Sequence, residues 1–260
     1  MKNIMKIATF NVNSIRSRVQ IVLDWIVENK PDVLCMQETK VQDKDFPAEA
    51  FAYSGYEFVY RGEKSYNGVA IFSRKKLENV QFGLDSEPKD EARMIKATIG
   101  DLNIITTYIP QGFFVESDKY LYKLDWFRRL LEYFQQNYKP TDNILWMGDL
   151  NVAYEAKDVY DPKRLDGHVC FNKELSAVFK KFLDWGFVDL FRMLCCDEGH
   201  YSFWDYRMPN TFARNRGWRL DYIMGTEPMA KKCLKCWIDK KPRTLEKPSD
   251  HTPVVAEFKL

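Results

Sequence analysis

The feature that most constrains this chain is a series of short apolar runs, rich in Val, Ile, Phe and Tyr, that stop abruptly at hydrogen-bonding side chains. Lys-Ile-Ala-Thr-Phe runs into Asn11, Val-Leu-Cys-Met-Gln into Glu38, Asn-Ile-Ile-Thr-Thr into Tyr108, and Ile-Leu-Trp-Met-Gly into Asp149 and then Asn151. Continuous apolar runs of this length suit strands that are buried on both faces. Strands are expected over 6–11, 33–37, 56–60, 68–73, 94–99, 102–109, 143–148, 201–206, 220–224 and 254–258. Gly100 and Asp101, between two such runs, predict a hairpin, so the sheets are not purely parallel.

Helical spacing appears between the strands. Val22, Trp25 and Ile26 share a face that stops before Pro31, and Leu121, Leu124, Phe127, Leu131 and Phe134 recur at three- and four-residue steps. A third helix is expected to start at the N-cap Asn172, to carry Leu175, Val178, Phe179 and Phe182 on one side, and to stop at Gly186. This ratio of strands to helices predicts an α/β fold of two packed sheets with helices outside. A chain of 260 residues is long enough for one large core. No repeat, low-complexity tract or linker divides it, so a single domain over 1–260 is the simpler reading.

The excluded classes follow from a few numbers. Thirty-nine basic against 37 acidic residues leave a net charge of +2, so any nucleic-acid contact must come from local charge. Six cysteines are too few for a disulfide-stapled scaffold, and a reducing cytoplasm is expected. Cys233 and Cys236 make a lone Cys-x-x-Cys and read as strand cysteines. The opening 1–7 is too short and polar for a signal segment, and no run of about 18 apolar residues predicts a membrane span.

Four strand ends meeting on one rim would bring polar groups together on rigid elements. Each alone reads as a turn or cap residue; the set reads as a site. Carboxylates and amides with His251, and no cluster of soft ligands, point to a hard cation such as Mg2+, which keeps few protein carboxylates. Glu38 is the expected principal ligand. Asp149 and Asn151, two apart, face the same side of an extended segment. Asp149 suits orienting or deprotonating a water and Asn151 suits holding a phosphate oxygen. An Asp at its ordinary pKa of about 3.9 is a poor base, so that role needs either a raised pKa or a metal-acidified water. His251 sits in Ser-Asp-His-Thr-Pro before the last strand, and Asp221 is its natural tautomer-fixing partner. From Tyr206 to Leu220, Arg207, Arg214, Arg216 and Arg219 interleave with Phe212 and Trp218 without an acidic residue, a composition suited to holding phosphates and stacking on bases.

Seven ordered stretches resemble the exonuclease III type of apurinic/apyrimidinic endonuclease, within the endonuclease/exonuclease/phosphatase superfamily: 9–16, 34–40, 66–71, 108–112, 148–153, 217–223 and 249–251. The resemblance implies a four-layered α/β sandwich with its site on one rim. It implies Glu38 as metal ligand with Asn13 and Asp250 nearby, and Asp149, Asn151, Tyr108, His251, Asp221 and Asn11 as the catalytic set. It also implies DNA contacts from Arg16, Lys40, Tyr66, Asn67, Gln111, Arg207, Arg214 and Arg216, and an apolar pocket of Phe203, Trp218 and Leu220 for a base-less sugar. The implied cofactor is Mg2+, with Mn2+ as a substitute. The implied substrate is double-stranded DNA with abasic sites or 3′ ends, cut 5′ to the abasic site by a monomer to leave a 3′-hydroxyl. Gln111 departs from relatives that carry Asn, and Phe113–Phe114 falls where counterparts insert into damaged DNA. Two other readings remain: a same-fold phosphoesterase for RNA or a small phosphate ester, and a catalytically silent DNA-binding module.

Overall fold

Strands account for most of the layers in the computed structural model, which describes residues 4–84 and 91–259, leaving the first three positions of the 1–7 opening outside. The strands are β1 (Ile4–Asn11), β2 (Val33–Gln37), β3 (Glu57–Arg61), β4 (Val69–Ser73), β5 (Glu78–Phe82), β6 (Met94–Ile99), β7 (Leu102–Tyr108), β8 (Ile144–Asp149), β9 (Phe187–Asp189), β10 (Asp221–Thr226), β11 (Cys233–Ile238) and β12 (Val254–Lys259). They form two six-stranded sheets, ordered β11, β12, β1, β2, β4, β3 and β5, β6, β7, β8, β10, β9. The β1/β2 and β7/β8 pairs are parallel and their neighbours pair antiparallel, so both sheets are mixed.

Alternation along each strand explains the layering. In β2, Val33 and Cys35 enter the core between the sheets while Leu34 and Met36 face outward against α1 (Ile15–Asn29) and its Val22, Trp25 and Ile26. In β8, Leu145 and Met147 enter the same central core while Trp146 packs against α2 (Asp118–Asn137) and α3 (Lys173–Trp185). Both faces of the central strands are therefore apolar, as their unbroken runs require. The result is the expected four-layered α/β sandwich.

Asn172 caps α3 by accepting the amide of Leu175 at 2.9 Å, and Gly186 ends it at φ 130°. The apolar stripe of α2 differs from expectation. Leu121 is exposed, and the buried face runs through Tyr120, Lys123, Phe127, Leu130 and Phe134, one residue round the helix. The strand expected over 201–206 is absent: Phe203 makes only isolated bridges to Trp218 and His251, and Trp204 donates to the Asp250 carbonyl. Its backbone groups are satisfied by the ends of other strands, so no continuous ladder forms. Strands β5, β9 and β11, which the apolar runs do not delimit, are all sheet edges.

A buried ion network ties this end of the fold together. Asp158 lies between Arg219, with contacts of 2.8 and 3.1 Å, and Arg192, at 2.6 and 3.0 Å, and Arg219 also reaches Asp189 at 2.7 Å. Burial pushes the Asp158 carboxyl up, but the two guanidiniums outweigh it and hold its pKa below the ordinary value. A depressed carboxylate stabilises the fold above its unfolded pKa of about 3.9, and that stabilisation is lost as pH falls through the folded value. Asp158→Asn leaves two buried guanidiniums undercompensated, an expected loss of about 3–5 kcal/mol in urea unfolding, with a shallower decline of stability below about pH 4. Unchanged stability would contradict this reading.

Candidate active site at the strand rim

The parallel pairs place their C-terminal ends at the same rim. In register, Asn11 lies opposite Gln37, which Glu38 follows, and Tyr108 lies opposite Asp149. Gly148, at φ 143°, lets β8 press against β7; a Cβ there would sit 1.9 Å from the Thr107 carbonyl oxygen. The chain then turns sharply off each strand, with Asn13, Glu38 and Asn151 at φ 41°, 52° and 49°. Non-glycine residues in the left-handed region concentrate at functional sites because surrounding contacts must hold them there.

One amide joins the two acidic ends. Asn11 Nδ2 donates to Glu38 Oε1 and to Asp149 Oδ2, each at 2.8 Å, and Asn11 Oδ1 accepts the Asn13 amide at 3.0 Å. Asp149 Oδ1 accepts the backbone N–H of Asn151 at 3.0 Å, and Asn151 Nδ2 donates to the Ile109 carbonyl at 2.9 Å. His251 closes the group: its Nδ1 lies 2.8 Å from Asp221 Oδ2 and its Nε2 is 3.7 Å from Asp149 Oδ2. Ligand atoms of Glu38, Asp149 and His251 all fall within 4.8 Å of one another.

Electrostatics follows from burial. For Glu38, desolvation is outweighed by the Lys40 ammonium, 2.7 Å from Oε2, and by the Asn11 amide, so its carboxyl is held below the ordinary range. Asp149 is pushed up to about 7 by burial, against the pull of His251 and with the charges of Asp221 and Glu38 adding to the rise. Burial alone would lower His251, but Asp221 and Asp149 raise it to about 10. Half-buried Tyr108 lies beside Glu38 and Asp149, and desolvation with the added charge of these carboxylates holds its hydroxyl protonated. The oxygen donors fit a hard divalent cation, and the Lys40 ammonium on Glu38 marks where positive charge is needed. Asp250 stands apart from that cluster: its Oδ1 accepts from Asn13 Nδ2 at 2.8 Å, while Lys40 Nζ reaches Asn13 Oδ1 at 2.5 Å.

The apolar trio also converges. Trp218 and Leu220 belong to one buried cluster against which Phe203 packs, and the Phe203 ring lies 4.8 Å from that of His251. Arg16, Arg214 and Arg216 are exposed, as is Tyr66, while Arg207 is exposed yet held by the Asp205 carboxylate at 2.7 Å. Asn67 is buried and donates to Glu63. Gln111 is exposed and its side chain accepts the Phe113 amide at 2.7 Å; Phe113 and Phe114 project outward. Besides Trp218, two further members of the cationic loop do not face outward. Arg219 is buried in the Asp158 network, and Phe212 packs edge-on against Trp204.

Lys123, Ser202 and Ser249 hold the rim in place. Lys123 is fully buried on α2 and donates to the carbonyls of Asn151, Val169 and Gln111 at 2.7, 3.0 and 3.2 Å, joining three loops under the site. A lysine on the buried stripe of a helix is the sequence signal that could have found it. Ser202 Oγ accepts the amides of Leu220 and Asp221, each at 3.1 Å, and Ser249 Oγ accepts the His251 amide at 3.1 Å.

The endonuclease/exonuclease/phosphatase family model matches residues 8–251. The chain belongs to that family. Exodeoxyribonuclease III of Haemophilus influenzae is 32% identical, over 98% of this chain and 100% of its own. An AP endonuclease structure from Archaeoglobus fulgidus is 51% identical with a TM-score of 0.95, covering 98% of this chain and 100% of that one. A Neisseria 3′ phosphatase solved with a product DNA hairpin is 35% identical with a TM-score of 0.94 over 98% and 100% of the two chains. Within the endonuclease/exonuclease/phosphatase family this chain is a hydrolase of the exonuclease III type.

Two outcomes follow from the geometry. His251 of the metal-free protein is expected to stay protonated to about pH 10 by NMR, and Asp221→Asn to bring its titration down toward 6.5. The sign is that of a raised base: this interaction stabilises the fold fully below about pH 6.5 and loses that effect as pH rises through about 10. Lys123→Met removes the donor to two buried carbonyls and one part-buried one, each buried one worth roughly 1–3 kcal/mol when left unsatisfied, and should lower the urea midpoint markedly. A midpoint equal to wild type would mean that water replaces the ammonium without cost.

Proposed function

We propose that this exonuclease III-type hydrolase is a DNA-repair nuclease that cuts duplex DNA 5′ to an abasic site, leaves a 3′-hydroxyl and also trims 3′ ends. The observation that carries the proposal is the convergence of Glu38, Asp149 and His251 within 4.8 Å, with the apolar Phe203 ring against His251. Similarity to the Neisseria 3′ phosphatase, solved with its product DNA hairpin, supports the end-trimming part.

A divalent cation held by Glu38, Mg2+ or Mn2+, supplies positive charge to the phosphate and the leaving oxygen when bound. Asp149, with its carboxyl pushed up to about 7, is matched to take a proton from the attacking water near neutral pH. His251 stays protonated through its bond to Asp221 and offers its Nε2–H to a phosphate oxygen. Tyr108 donates its hydroxyl, and Asn151, fixed by Ile109 and Asp149, orients the phosphate. Asn11 keeps the two carboxylates a fixed distance apart. The apolar surface of Phe203, Trp218 and Leu220 would receive a sugar without its base, and exposed Arg16, Arg214 and Arg216 would contact phosphates along the duplex. Lys40, which lies against Glu38 and Asn13, would contact the DNA backbone. Asn13 and Asp250 fit a second metal position. The working form is a single-domain monomer in the cytoplasm, bound to DNA.

The test is incision of a duplex bearing one tetrahydrofuran abasic analogue, with products run beside 3′-hydroxyl markers. Cutting in Mg2+, its loss in EDTA, and a drop of about 10²–10⁴ in Asp149→Asn with duplex binding retained are expected. No cutting at micromolar enzyme in Mg2+, or faster turnover of RNA or an inositol polyphosphate, would overturn the proposal.

A further inference from the structure

Outside the rim, a second group of ligating side chains gathers just after the short helix α4 (Leu190–Leu194). The sequence Cys195-Cys196-Asp197-Glu198-Gly199-His200 folds back on itself, so that ligand atoms of Cys195, Asp197 and His200 all lie within 4.8 Å of one another. Gly199, at φ 82°, allows the reversal, and Asn215 Nδ2 holds its carbonyl at 2.9 Å. Arg192 fixes the other side of the loop by donating to the carbonyls of Cys195 and Asp197 at 3.3 and 2.6 Å. These contacts leave the thiol, carboxylate and imidazole free to face one point.

We propose that Cys195, Asp197 and His200 form a binding site for a divalent transition ion of zinc-like character. The donor set decides the class: sulfur and imidazole select borderline-soft ions, whereas the oxygen-rich Glu38 cluster suits a hard one. Tetrahedral zinc, with bonds of about 2.3 Å to sulfur and 2.0–2.1 Å to nitrogen or oxygen, needs ligand atoms roughly 3.3–3.7 Å apart. The ligand atoms lie within 4.8 Å of one another, and Asp197 is exposed and His200 half-buried, so side-chain adjustment on binding would bring them to that spacing. Cys195 has extended backbone angles of −135° and 109°, so the adjacent Cys196 points to the opposite side and leaves the fourth position to water. The loop leads directly to Ser202, which accepts the amides of Leu220 and Asp221. An ion here is a clasp on the segment that supports the His251 partner, and it stands whether or not the DNA substrate proposed above is right.

Co2+ titrated into the reduced full chain, with Mg2+ present to occupy the Glu38 cluster, reads the site directly. One equivalent should produce tetrahedral d–d absorption and a sulfur-to-cobalt charge-transfer band. Cys195→Ser should abolish that band, His200→Ala should weaken binding by at least about tenfold, and Cys196→Ser should leave the band unchanged. Zn2+ should raise the melting temperature of the wild type but not of Cys195→Ser or His200→Ala. Far-ultraviolet circular dichroism checks folding, and His200→Ala decides the matter if Cys195→Ser fails to fold. No charge-transfer band in the wild type, or a band that survives at full strength in Cys195→Ser or His200→Ala, overturns the proposal.

Discussion

Seating half-buried Glu38 beside fully buried Asp149 is the constraint on which this structure depends. Two carboxylates withdrawn from water repel each other and lose hydration, an arrangement that persists only if donors and positive charge stand in fixed places around them. Asn11 supplies one amide to both, Lys40 sits on the far oxygen of Glu38, and His251 lies beside Asp149. The sandwich makes these positions available. Parallel pairing of β1 with β2 and of β7 with β8 brings the polar ends to one rim, and Gly148 allows the close approach of β8 to β7. Ser202, Ser249 and Lys123 then fix the turns that follow.

The same crowding sets two titratable groups apart. Glu38 stays ionised because Lys40 and Asn11 face it, whereas Asp149 is pushed toward neutrality by burial and by its acidic neighbours. Two carboxylates of nearly the same ordinary pKa thus come to differ, Glu38 held anionic and Asp149 raised to about 7, and the difference comes from their surroundings.

Much of the architecture was readable because strands buried on both faces leave unbroken apolar runs. β1, β2, β4 and β6 through β8 appear within a residue or two of their expected limits, as do β10 and β12. β5, β9 and β11 escaped because edge strands have a half-exposed face that keeps polar residues such as Glu78, Asn79 and Lys235. The 201–206 segment has the aromatic residues of a strand, and Tyr201 and Trp204 are buried, yet its backbone forms only isolated bridges at Phe203. At the site, strand-end polarity led to Asn11, Glu38, Tyr108, Asp149 and Asn151, and Asp221 with His251 came from their sequence neighbourhoods. Lys123 and Ser202 stayed hidden because their partners are backbone carbonyls and amides, which no residue type announces. Arg219 read as a surface charge because its partners, Asp158 and Asp189, lie 61 and 30 positions away in the chain.

Whether the half-buried Glu38 carboxylate holds a divalent cation is read most directly by Mn2+ binding followed with electron paramagnetic resonance. Saturable uptake at one oxygen-coordinated position is expected in the wild type, with affinity lower by at least about tenfold in Glu38→Gln and the fold intact. Equal affinity in the two proteins would show that the cation is held elsewhere.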